Sequence, residues 1–151
     1  MEIYTDGSSL GNNSKLNTPG GWAFVVIQDE TEIFRKFKGC LKATNNEMEM
    51  QAMIEAMTYL KNNTIETCTI YTDSNYVKQG MTVWSKKWIK NGYMSASGKP
   101  VKNKDRWTQL LDLKNNLPNV NIQWVKAHNI NKWNNRADEL ARTSAEGMKR
   151  T

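Results

Sequence analysis

Apolar residues recur along the chain with two different periods, and the switches between them mark out its elements. Trp22 to Gln28 is a nearly continuous apolar run rich in Val and Ile, too short for a helix, and predicts a buried strand. Before it, Glu2 to Asp6 predicts a short strand ending at the turn Asp6-Gly7-Ser8. After it, Glu32 to Cys40 alternates imperfectly and carries Arg35, Lys36 and Lys38, as a sheet edge does. These three strands form an antiparallel meander. From Asn46 to about Asn62 the period changes: Met53, Ala56, Met57 and Leu60 stand at i, i+3, i+4 and i+7, and no Pro or Gly intervenes, which predicts an amphipathic helix.

Glu66 to Thr72 is β-branched and alternating, and Ser74 is placed to cap a short helix running towards Gly80. Asn103 is placed to cap a helix carrying Trp107, Leu110, Leu111 and Leu117, stopped by Pro118. Val120 to Val125 predicts a last strand with Val120, Ile122 and Trp124 on one face, and a final helix from about Asn134 buries Ala137, Leu140, Ala141 and Ala145. Strand, helix, strand in sequence implies a parallel central pair, because that connection needs a crossover. The fold class is α/β.

Composition narrows the functional classes. A chain of 151 residues is of one-domain size. No apolar run approaches membrane-spanning length, and Met1 to Asp6 has no signal-peptide character, so a cytoplasmic protein is expected. Cys40 and Cys68 lack metal-site spacing and fall in strands, which predicts buried free thiols. The net charge of +6 is confined to one stretch: from Trp84 to Trp107 there are seven of the 21 basic residues and one of the 15 acids, leaving 14 of each elsewhere. Lys86, Lys87, Lys90, Lys99, Lys102, Lys104 and Arg106 alternate there with Trp84, Trp88, Tyr93 and Trp107. A basic stretch interleaved with aromatic rings suits nucleic acid; the competing reading is a solvated face whose Trp residues point into the core.

Four acids carry the candidate chemistry. Glu49 precedes Met53 by four residues and so projects from the buried stripe of its helix, where a carboxylate is costly unless paired. Asp6 and Asp73 stand at the carboxyl ends of strands, where open α/β sheets gather their ligands. Asp138 lies in the first turn of the last helix, on the margin of its buried face. Taken singly, Glu49 and Asp138 have an ordinary explanation, compensation of a helix dipole. Taken together, the four crowd negative charge at one rim and repel unless cations neutralise them. Oxygen-only ligands suit Mg²⁺ or Mn²⁺ rather than zinc, and two such ions serve in-line phosphodiester displacement.

The residues also resemble a known family. Tyr4-Thr5-Asp6-Gly7-Ser8, Thr44-Asn45-Asn46-Glu47-Met48-Glu49, Thr72-Asp73-Ser74, Lys99-Pro100-Val101-Lys102-Asn103, Trp124-Val125-Lys126-Ala127-His128 and the stretch from Asn134 to Ala141 match, in order and spacing, the type 1 ribonucleases H. The resemblance runs from Tyr4 to about Ala145 and implies a ribonuclease H-like fold, a five-stranded mixed sheet flanked by helices, with residues 1–151 as a single domain. It implies endonucleolytic, largely sequence-tolerant cleavage of the RNA strand of RNA/DNA hybrids; a monomer is the default expectation. Asp6, Glu49, Asp73 and Asp138 are then the ligands of two Mg²⁺ ions, with Mn²⁺ as a substitute and Asp6 shared between the two. His128 is expected to assist proton transfer to the leaving group or release of product.

Substrate contacts are expected, by the same resemblance, from Asn12, Asn45 and Asn75 towards the hybrid, from Thr44 towards a DNA phosphate, and from Trp84, Lys87, Trp88 and Trp107 towards the DNA strand. Three features depart from the family pattern: residues Asn13 to Thr18 lengthen the loop between Gly11 and Gly20, Glu47 stands where relatives often place an Arg near a DNA phosphate, and Ala127 replaces a Gly before His128. The alternatives are a hybrid- or duplex-binding module of this fold without turnover, and a ribonuclease H module cut from a reverse transcriptase.

Overall fold

The computed structural model describes residues 1–11, 18–126 and 131–149. Five strands, β1 (Glu2–Ser9), β2 (Gly20–Gln28), β3 (Thr31–Cys40), β4 (Cys68–Thr72) and β5 (Val120–Trp124), form one sheet in the order β3-β2-β1-β4-β5. β1, β2 and β3 pair antiparallel as a meander, and β4 joins β1 and β5 in parallel. The helices are α1 (Asn45–Asn62), α2 (Asn75–Gln79), α3 (Ser85–Asn91), α4 (Lys104–Asn115) and α5 (Lys132–Met148). Among the described residues no helix is long and apolar enough to cross a membrane.

β2 is apolar from Trp22 to Ile27 because both of its faces are covered there. Trp22, Phe24 and Val26 belong to the larger core with α1 and α4, whereas Val25 and Ile27 pack with Tyr4 and Ala137 beneath α5. Met53, Ala56, Met57 and Leu60 are fully buried, as the period of α1 requires. Cys68 is buried and Cys40 partly so, both as free thiols, and burial pushes the Cys68 thiol up to about 11.

Several elements differ from expectation for identifiable reasons. β1 does not turn at Asp6-Gly7; it stays paired with β2 as far as Ser9 opposite Gly20. Gly7 is there for closeness, since a Cβ on it would lie 2.2 Å from the backbone of Met48 and Glu49. The chain does not stop at Gly80 but continues through a π-helical turn, Gly80–Trp84, into α3. Gly80 is where the Trp107 ring lies against the backbone, with a built Cβ only 2.0 Å from its Cη2. Asn103 holds the start of α4 in a left-handed conformation without a side-chain cap; its Nδ2 donates instead to the Tyr76 hydroxyl at 3.2 Å. On α4 it is Leu113, rather than Leu111, that joins Trp107 and Leu110 in the core. Trp124 is 47% exposed although Val120 and Ile122 are buried.

α5 begins at Lys132, earlier than its apolar period suggests, because the Asn131 side chain caps it by accepting from the N–H groups of Trp133 and Asn134. Asp138 therefore lies in the second turn, too far from the helix start for dipole compensation to explain it.

The Gly7 contact sets a test. Gly7→Ala must push α1 off β1, and should cost roughly 3 kcal/mol, read as a fall in Tm of about 6–12 °C by circular dichroism. An unchanged Tm would show that α1 is not held where the structure has it.

Candidate active site

Register brings the first two acids together. β1 and β4 pair in parallel through Tyr4 opposite Tyr71, so continuing two residues places Asp6 beside Asp73. Asp73 is fixed just past β4: its carbonyl accepts from Trp124 Nε1 at 3.2 Å, and Ser74 caps α2 by accepting from the Val77 N–H at 3.1 Å. Glu49 enters from α1, which reaches the rim because Gly7 leaves room for its backbone. Oxygen atoms of Asp6, Glu49 and Asp73 all lie within 4.8 Å of one another.

The start of α1 is tied down by a reciprocal cap. Glu47 N–H donates to Thr44 Oγ1 at 3.1 Å, and Thr44 N–H donates to Glu47 Oε1 at 2.9 Å. Ser9 N–H donates to Asn45 Oδ1 at 2.9 Å, joining this turn to the end of β1. The spacing Thr44-x-x-Glu47 carried that signal in the sequence. Glu47 is also paired, since Arg106 of α4 reaches its Oε2 at 3.3 Å.

Electrostatically the three carboxylates are in conflict. Burial, followed by the charge of Asp73, pushes the Asp6 carboxyl well above the ordinary carboxylate range. Burial, followed by the charges of Asp6 and Asp73, does the same to Glu49. Glu49 Oε1 is buried with no hydrogen-bond donor, and none of the ion pairs among the described residues reaches Asp6, Glu49 or Asp73. A buried, donorless oxygen among crowded carboxylates fits a hard divalent cation, which takes oxygen ligands. Asp138 approaches Asp6 from α5 but is not part of the compact group of three. Its helix is pinned to the strand bearing Asp6 by a bond of 3.1 Å from Asn131 Nδ2 to the Tyr4 hydroxyl.

The family model that matches residues 1–146 is that of RNase H. The chain belongs to the ribonuclease H family. It is 45% identical over 148 residues to ribonuclease HI of Vibrio parahaemolyticus, covering 97% of this chain and 90% of that protein. With ribonuclease H of Hahella chejuensis it shares 44% over 145 residues, 93% and 90% of the two chains. Among solved structures it is similar to LC9-RNase H1, described as a type 1 RNase H with the type 2 active-site motif, at a TM-score of 0.81 and 27% identity over 97% of this chain and 72% of that one. The five-stranded mixed sheet is thus that of a ribonuclease H.

The basic segment of this ribonuclease H is built around its rings. Trp107 is 0% exposed, Trp88 9% and Trp84 38%. Trp107 Nε1 donates to the Tyr76 hydroxyl at 3.2 Å, and its ring stands 5.1 Å from that of Trp88 and 5.2 Å from that of Tyr76. The expected contact of Trp107 with a DNA strand does not fit this structure, since protein encloses the ring on all sides, and Trp88 has little surface to offer. Trp84 and Lys87, with Lys102 nearby, line an open groove of about 560 Å³. Lys86, Lys87 and Lys90 are exposed, as is Asn75. Asn12 and His128, with Ala127 and most of the lengthened loop, lie outside the described residues.

Removing one charge tests the conflict. Asp73→Asn should raise Tm by about 2–4 °C in chelator, the size of relieving on the order of 1 kcal/mol of repulsion, and should shrink the further rise on adding a divalent ion. Scanning calorimetry with and without metal checks both; a lower Tm in chelator would mean that the acids do not oppose one another.

Proposed function

We propose that residues 1–151 act as a single ribonuclease H domain that hydrolyses the RNA strand of RNA/DNA hybrids, with Mg²⁺ as the working ion and Mn²⁺ able to replace it. The observation that carries this reading is the group Asp6, Glu49 and Asp73 at one sheet rim, with the buried, donorless oxygen of Glu49, in a chain of this family. Asp6, Glu49, Asp73 and Asp138 would hold two ions. Bound there, the ions supply Lewis-acid stabilisation of charge at the reacting phosphate and lower the pKa of an attacking water.

The chain's own residues do the rest. Asp6 would serve both ions, since the other acids converge on it: Asp73 is its neighbour in register, Glu49 comes from α1, and Asp138 approaches from α5. His128 assists proton transfer to the leaving oxygen, or eases product out. Asn12, Asn45 and Asn75 face the minor groove of the hybrid, where only the RNA strand presents 2′-hydroxyls. Thr44 and Lys87 hold DNA phosphates, and Trp84 offers its exposed face to a sugar. Contacts of this kind carry no sequence code, so cleavage is sequence-tolerant. The protein works as a monomer in the cytoplasm.

An end-labelled RNA strand, given alone, paired with RNA or paired with DNA, separates this from the binding-module reading. Cutting is expected only in the RNA/DNA hybrid and only with Mg²⁺ or Mn²⁺, and Asp73→Asn should abolish it while hybrid binding persists. Binding without cutting under every condition would favour the non-catalytic module. Replacing Lys86, Lys87 and Lys90 together by Ala should weaken hybrid binding and reduce the slope of log affinity against log salt by about 2–3. An unaltered slope would mark those lysines as a solvated face.

A further inference from the structure

Asp138 is the member of the four-acid set that stands apart, and a specific residue accounts for it. Its Oδ2 accepts a hydrogen bond of 3.1 Å from Arg142 Nη1, one helical turn further along α5. An acid four residues ahead of a base is the favourable order on a helix. With side chains 28% and 55% exposed, however, the pair contributes little to stability. Its consequence is for charge at the site. Asp138 is also near enough to Asp6 for its charge to act on that carboxyl, so the Arg142 guanidinium lies one side chain away from the group of three.

The helix cannot resolve this by moving. Ala137, Ala141 and Ala145 are fully buried on the sheet, and α5 presses so closely on β2 that a Cβ on Gly21 would lie 2.4 Å from the Ala141 carbonyl oxygen. Whether the Asp138 carboxylate faces Arg142 or the group of three is therefore decided by side-chain rotation on a fixed helix. Arg keeps its charge at every working pH, so pH does not release Asp138 from it. A guanidinium there occupies an acceptor oxygen and repels an arriving divalent ion.

We propose that Arg142 is a positioning residue that holds Asp138 in a standby orientation and competes with the divalent ion for that carboxylate, raising the ion concentration needed to fill the Asp138 side of the site. This rests on the reading of Asp138 as a ligand. Arg142 sets the threshold at which the site loads, and the exposed pair gives way because one helical-turn contact is weak beside coordination of a double charge.

The test is titration of the substrate-free protein with Mn²⁺, followed by calorimetry and by the rise in Tm, for the wild type, R142Q, R142K, D138N and the double variant D138N/R142Q. In R142Q the half-saturating concentration should fall about three- to tenfold, and R142K, which keeps the charge, should stay near the wild type. D138N should weaken binding, and adding R142Q to it should strengthen binding less than R142Q does alone. If D138N weakens binding but R142Q does not strengthen it, the competition is overturned while Asp138 stands as a ligand. An unchanged curve for D138N would overturn the ligand reading itself, and the competition with it.

Discussion

The repulsion among Asp6, Glu49 and Asp73 is the constraint to which the surrounding structure answers. Three carboxylates within 4.8 Å of one another separate unless their backbones cannot move, and each is mounted on an element whose position is fixed from behind. Asp6 is in a central strand paired on both sides. Asp73 is held between the Trp124 indole and the Ser74 cap. Glu49 is carried by a helix clamped at its first turn by Thr44 and Glu47 and backed by buried Met and Ala residues. Stability elsewhere in the domain offsets the strain stored at this rim, and the strain is what makes the rim receptive to cations.

The same logic explains the glycines that matter. At Gly7 helix α1 meets the sheet backbone directly, and at Gly21 helix α5 does so from the opposite side. Both helices deliver acids to one rim, so both must lie closer to the sheet than side chains ordinarily permit. Asn131 completes the arrangement by capping α5 while donating to Tyr4, two residues before Asp6 on the same face of β1.

Much of this was legible in the sequence, because hydrophobic period reports burial and burial places the elements. The meander, the edge position of β3, the stripe of α1 and the meeting of Asp6, Glu49 and Asp73 at one rim could be read from the order and period of the elements. What could not be read depends on contacts between segments distant in sequence. Gly7 and Gly80 look like local punctuation and are in fact points of close approach to Met48 and Trp107. Asn103 has the composition of a cap and serves Tyr76 instead. Trp107 and Trp124 carry the same side chain, yet one is enclosed and the other braces Asp73 from outside; period alone does not distinguish them. The early start of α5 was written in Asn131, a polar residue ahead of the apolar stripe, where periodicity is silent.

The Trp-rich arm divides two demands between two sets of residues. Its shape is maintained by rings packed on Tyr76 and against Gly80, and its charge by lysines that stand in water. Cation number on the arm can therefore drift under selection, or be set by design, without passing through a misfolded intermediate. Under the proposed role of this arm in holding hybrids, its lysines are a dial for ionic strength that leaves the chemistry of the carboxylates untouched.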